Sequence, residues 1–146
     1  MNSELSIILV DDEPAHSALV RRNLIKAGVS NPIVTLESGQ KLLNFIFARE
    51  EHENQPIPEK ILILLDINMP GLHGTEVLKT LKSNPLTQHI PVIMLTTSDD
   101  PTEINSCFQL GCNAYLVKPV EHHQFVEKIQ EVAHFITLTQ IPSVVI

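Results

Sequence analysis

The residues best suited to chemistry are Asp11, Asp12, Asp66, Thr96 and Lys118, and each stands at or just past the end of a run of apolar residues. Three carboxylates brought together repel one another and cannot all stay ionised at close range without a counter-charge. A hard divalent cation supplies one, and Mg²⁺ takes carboxylates together with carbonyls, waters and phosphate oxygens. A hydroxyl and an ammonium beside such a cation can hold a phosphoryl group, Thr96 by hydrogen bonding and Lys118 as a point charge. A carboxylate among these groups is arranged to become an acyl phosphate, with the protein supplying position and electrostatics.

Each residue alone has a plainer reading. Asp11-Asp12-Glu13 could cap the helix that follows, and so could Asp66. Thr96 could satisfy a turn with its hydroxyl, and Lys118 could be a solvated lysine before one. These readings leave unexplained why all of them fall at the same end of successive strands.

The strands follow from pattern. Ile61 to Leu65 is an unbroken apolar run, the mark of a central parallel strand buried on both faces, and Pro70-Gly71 beyond Asp66 signals a turn. Ser6 to Val10 is the first strand. Pro14 opens a helix with an acidic residue before it as cap; it runs to about Ala27, turns Val20, Leu24 and Ala27 inward, and stops at Gly28. Pro32 to Leu36 is the second strand, and Ser38 opens a helix to about Arg49 with Leu42, Leu43 and Ile46 inward. Residues 50–59 read as a polar loop. The third helix runs from near Gly74 to Lys82 over Val77, Leu78 and Leu81. Pro91 to Leu95 is the fourth strand, followed by a helix that begins after Asp99-Asp100-Pro101 and closes at Gly111. Ala114 to Val117 is the fifth strand, and the last helix carries Phe125, Ile129, Val132 and Ile136 as an apolar stripe.

Strict alternation predicts an α/β three-layer sandwich, a five-stranded parallel sheet flanked by five helices. Right-handed crossovers in the commonest order, 2-1-3-4-5, make strands one and three neighbours at the switch point, and the ligand site lies beyond the strands' carboxyl ends.

At 146 residues, 43% of them apolar, the chain reads as one domain over 1–146, with its core at about 5–136 and an apolar tail at 137–146. A net charge of −7 and no cluster of Lys or Arg argue against nucleic acid as a partner. Apolar runs fall far short of the roughly 20 residues needed to span a bilayer. The start, Met-Asn-Ser-Glu, lacks the features of a signal peptide. Cys107 and Cys112 match no metal or disulfide framework and read as buried thiols in a reducing compartment. The expected location is cytoplasmic. The histidines are scattered, and His122 and His123 diverge around a helix, so no histidine metal site is expected.

Four motifs carry a resemblance: Val10-Asp11-Asp12-Glu13-Pro14; Leu65-Asp66-Ile67-Asn68-Met69-Pro70-Gly71 with Gly74; Met94-Leu95-Thr96-Thr97-Ser98; and Gly111-Cys112-Asn113-Ala114-Tyr115-Leu116-Val117-Lys118-Pro119. In order and spacing they resemble the receiver domain of two-component response regulators, which has a flavodoxin-like fold. The resemblance implies that Asp66 accepts phosphate from a phosphohistidine on a sensor histidine kinase. It implies Mg²⁺ held by Asp12 directly, by Asp11 through water, by Asp66 and by the main-chain carbonyl of Asn68. Lys118 would pair with the phosphate, and the Lys118-Pro119 peptide bond would be cis. Thr96 would swing toward the phosphate and let Tyr115 turn inward, changing the surface of helix four, strand five and helix five. The side chains of Asn68 and Ser98 would flank the attacking water and tune dephosphorylation.

The loop at 50–59 and the extended last helix with its tail are similar to single-domain regulators paired with bacterial phytochrome-type kinases, which would act on a downstream protein without an output domain of their own. The tail admits either a homodimer contact or a fold back onto its own domain. The resemblance implies a switch rather than an enzyme on a free substrate. A haloacid-dehalogenase-type phosphatase would show Asp-x-Asp where Asp66-Ile67-Asn68 stands. A flavodoxin-like cofactor carrier would need a Ser/Thr/Gly-rich loop where Asp11-Asp12-Glu13 stands. A receiver cut from a DNA-binding regulator would show a linker or basic helix after helix five.

Overall fold

The computed structural model describes residues 5–47, 58, 60–118 and 121–138. Five strands alternate with five helices: β1 (Leu5–Val10), α1 (Pro14–Lys26), β2 (Ile33–Leu36), α2 (Gly39–Ile46), β3 (Lys60–Leu65), α3 (Gly74–Ser83), β4 (Val92–Thr96), α4 (Pro101–Leu110), β5 (Ala114–Val117) and α5 (His122–Leu138). All pairings are parallel and the order is β2-β1-β3-β4-β5, as the alternation predicts.

The strands are buried because the sheet is packed on both faces. Ile8, Val10, Ile61, Ile63, Leu65, Val92 and Met94 point to one side, against Leu42, Val77, Leu78, Leu81 and Cys107. The intervening Ile7, Leu9, Leu62, Leu64, Ile93 and Leu95 point to the other, against Val20, Leu24, Phe125, Ile129, Val132 and Ile136. This is period-two alternation with apolar residues in both phases, so the central strands read as continuous apolar runs. Each fully buried Leu or Ile contributes on the order of 2 kcal/mol.

Helix starts follow local chemistry. The Ser38 hydroxyl accepts from the Lys41 amide at 3.1 Å, and the Asp100 carboxylate from Thr102 N at 3.0 Å. Gly111 ends α4 at φ 107, a left-handed turn that costs glycine little. At α1 the expected acidic cap is corrected. Glu13 occupies the cap position but its side chain accepts no cap bond; the Asp11 carboxylate instead turns back and accepts from the Glu13 amide at 2.9 Å. The helix expected to reach about Arg49 runs Gly39–Ile46, with Phe47 leaving helical geometry, and residues 48 and 49 lie outside the described residues. The loop at 50–59 lies outside the described residues except for Pro58, and the tail beyond Leu138 and Pro119 of the expected cis bond lie outside them entirely. Cys107 and Cys112 are buried and free. No helix among the described residues is long and apolar enough to cross a membrane.

Candidate functional site

Register brings the site together. Val10 pairs with Leu65, so the next residues along, Asp11 and Asp66, emerge side by side. The Asp66 amide is tied to Val10 O at 3.0 Å and the Asp11 amide to Leu36 O at 3.1 Å. On the other flank Thr96 pairs with Val117, which sets Lys118 one residue beyond, with its amide on Thr96 O at 2.6 Å. All the predicted strand-end groups therefore meet over one edge of the sheet.

Carboxylate oxygens of Asp11, Asp12 and Asp66 lie within 4.8 Å of one another. Asp11 and Asp66 are buried, and Asp12 is half-buried. Buried carboxylates this close call for positive charge. Lys118 supplies one: its Nζ is 3.2 Å from Asp11 Oδ2 and 4.0 Å from Asp66 Oδ2. One ammonium against three carboxylates leaves a net negative pocket, and an all-oxygen donor set of this kind fits a hard divalent cation. The Asp66 carboxyl is pushed up from 3.8 to about 6, chiefly by burial, with Asp11 and Asp12 adding to the rise while Lys118 and the Asn68 amide oppose it. At neutral pH it stays largely ionised, and its raised basicity suits a nucleophile.

The loop after Asp66 is anchored from below. Ile67 and Met69 are buried in the core, which leaves Asn68 exposed on the site side. The Gly74 amide bonds Ile67 O at 3.0 Å. A Cβ on Gly74 would stand 2.5 Å from Asp66 O and 2.7 Å from Ile67 Cα, so α3 can begin this close only at a glycine. Gly71 turns the loop at φ 79.

Thr96 is fully buried. Its Oγ1 accepts from Asn68 Nδ2 and from the Ser98 amide, both at 3.3 Å. Ser98 in turn offers its carbonyl to the Tyr115 hydroxyl at 2.9 Å, and Glu103 Oε1 of α4 lies 3.3 Å from the same hydroxyl. Burial, with a smaller contribution from Glu103, pushes the Tyr115 phenol up to about 12. A chain of contacts thus runs from the acidic pocket through Thr96 and Ser98 to Tyr115 on the β5–α4 surface.

One neighbour of the site was not foreseen. His16, in the first turn of α1, places Nδ1 3.2 Å from Lys118 Nζ and 3.7 Å from Asp11 Oδ2. A signal for it was present, since His16, Val20 and Leu24 follow one another at i, i+4 and i+8 on a single helix face.

Known proteins share the sequence and fold in which this geometry is set. The family model for the response regulator receiver domain matches residues 7–130. The response regulator Rcp1 of Synechocystis is 35% identical over 129 residues, covering 88% of this chain and 86% of that relative. The crystal structure of the Mn²⁺-bound form of Rcp1 superposes with a TM-score of 0.87 at 33% identity, covering 94% of this chain and 98% of that one. The phosphorylated cyanobacterial phytochrome response regulator RcpA gives a TM-score of 0.87 at 30% identity, covering 97% of this chain and all of that one.

Proposed function

The chain belongs to the response regulator receiver domain family, and on that premise we propose that Asp66 is its phosphoacceptor and a sensor histidine kinase its donor. The observation that carries this is the meeting of Asp66 with Asp11 and Asp12 within 4.8 Å and with Lys118 Nζ at 4.0 Å. An Asp66 oxygen attacks the phosphorus of a phosphohistidine, an O–P bond forms as the P–N bond breaks, and the imidazole leaves with a proton. Hydrolysis by water later returns the carboxylate and inorganic phosphate.

Asp11, Asp12, Asp66 and the Asn68 carbonyl would hold Mg²⁺, which when bound neutralises charge on the transferring group. The protein's own residues do the rest. Lys118 pairs with a phosphoryl oxygen as a point charge. The Thr96 hydroxyl turns toward the same group, which loosens its contacts with Asn68 and Ser98 and, through Ser98, those of Tyr115. Asn68 and Ser98 border the approach of the hydrolytic water. The result is a shift between two packings of the α4–β5–α5 surface, biased by the phosphate's contacts in one of them.

A downstream protein reads that surface. The named relatives and the 30–35% identity to them support a phytochrome-type kinase as donor and a cytoplasmic setting. A homodimer is a further proposal, tested by size exclusion with and without phosphate.

The decisive experiment is intact mass after incubation with acetyl phosphate and Mg²⁺. Wild type should gain one phosphoryl group, labile to hydroxylamine as an acyl phosphate is, and Asp66→Asn should gain none. An adduct that survives in Asp66→Asn sinks the assignment.

A further inference from the structure

The Lys118 ammonium carries three N–H donors on a side chain only 6% exposed. Two acceptors meet it at 3.2 Å, Asp11 Oδ2 and His16 Nδ1. Asp66 Oδ2, at 4.0 Å, is beyond hydrogen-bonding range. An ammonium only donates, so Nδ1 is the acceptor and the ring hydrogen sits on Nε2. The alternative pairs His16 with Asp11 Oδ2 at 3.7 Å. It would put a hydrogen on Nδ1 and aim it at the ammonium. The shorter contact decides between them.

From this geometry we infer that His16 is a positioning residue for Lys118 in phosphoryl transfer, a role that rests on the receiver reading above. Asp11 serves two partners, since its carboxylate belongs both to the acidic cluster and to the lysine. Whatever positive charge the cluster takes up draws on Asp11 and weakens its hold on the ammonium. His16 is the acceptor that remains. It occupies one N–H and keeps Nζ on the side of the pocket from which a phosphoryl oxygen on Asp66 comes within reach. The imidazole is itself held by its place on α1, where Pro14 starts the helix and Asp11 Oδ1 grips the Glu13 amide. Removing it leaves a buried donor unpaired and the lysine free to change rotamer, and small misplacements of a catalytic charge slow transfer steeply.

The test measures the rate of phosphorylation by acetyl phosphate at saturating Mg²⁺, by intact mass. It uses wild type, His16→Ala, His16→Asn, Lys118→Ala and the Lys118→Ala/His16→Ala double variant. Loss of one hydrogen bond to a charged group predicts His16→Ala slower by roughly tenfold. His16→Asn should recover most of the rate, because Asn Oδ1 stands the same number of bonds from Cα as His Nδ1. In the Lys118→Ala background His16→Ala should change nothing further, and Mg²⁺ affinity by calorimetry should match wild type in both His16 variants. The role is overturned by a wild-type rate in His16→Ala, by an equal slowing in the Lys118→Ala background, or by a folded His16→Asn as slow as His16→Ala. A wild type that takes up no phosphoryl group would instead sink the receiver reading itself, and the role with it.

Discussion

Replacing Asp66 by Asn should stabilise the cation-free protein at neutral pH. The carboxyl is raised from 3.8 to about 6, first by burial, so between those values the folded chain holds a proton that the unfolded chain has lost, and at neutral pH it carries a charge that its surroundings disfavour. At about 1.36 kcal/mol per pKa unit, a shift of about two units is worth about 3 kcal/mol. The sign is set by which state binds the proton. Below pH 3.8 the group is protonated in both states and contributes no difference; as pH rises through about 6 the folded chain must ionise it in a buried, acidic pocket, and stability falls. Above that range the whole penalty is present, and an amide at position 66 never incurs it.

Urea unfolding in EDTA measures this directly. The variant should exceed wild type by about 3 kcal/mol at pH 7.5 and by about 1 kcal/mol at pH 4.5. Adding Mg²⁺ at a hundredfold its Kd should raise wild type by about 2.7 kcal/mol and nearly close the gap at pH 7.5. An Asp66→Asn protein no more stable than wild type in EDTA at pH 7.5, or a gap that does not narrow toward acid, would refute the reasoning. Either result would mean that the Asp66 charge is not disfavoured by its surroundings.

Gly74→Ala should cost about 1–3 kcal/mol of stability and slow phosphorylation, because the added Cβ would press on backbone rather than on a movable side chain; urea midpoints and intact mass on the same preparation check both. Lys118→Ala removes the main opposition to the Asp66 rise. It should therefore shift the wild-type stability loss to higher pH, seen as a higher pH at which urea midpoints fall in EDTA. The chain holds one Tyr and no Trp, so intrinsic emission reports Tyr115 alone. Phosphorylation should change that emission in wild type, whereas Thr96→Ala should accept phosphate by mass with the emission unchanged.

The fold was legible where chain pattern and tertiary demand coincide. Ile61 to Leu65 reads as a buried strand because it is packed on both faces, with Ile63 toward one set of helices and Leu62 toward the other. The strand-end chemistry was legible for a related reason. Parallel strands in register deliver their C-terminal neighbours to one edge whatever the side chains beyond them do, so Asp11, Asp66, Thr96 and Lys118 could be placed without knowing any rotamer. Boundaries set by a single residue's backbone were less legible. No Gly, Pro or Asn marks the end of α2 after Ile46, so its apolar stripe suggests a longer helix than Gly39–Ile46. At α1 the cap rule, which considers one residue at a time, chose Glu13. It could not weigh Asp11, whose carboxylate reaches the Glu13 amide from outside the helix.

His16 lies between these cases. Its partner is 102 residues away in sequence, and its own type says little, since a histidine early in a helix is most often a surface residue. The helix face it occupies says more. Val20 and Leu24 are fully buried against the sheet, which fixes the rotation of α1 about its axis. A residue four positions before Val20 must continue that stripe one turn toward the helix start. Because α1 follows directly on β1, that turn stands beyond the C-terminal end of the strands, where no further apolar side chains remain to be covered. A stripe residue that overshoots the sheet in this way must meet whatever the strand ends display, and here they display Asp11 and Lys118. Where a crossover helix begins just past its strand, the polar residue one turn ahead of the buried stripe therefore belongs with the strand-end residues when a site is assembled from sequence.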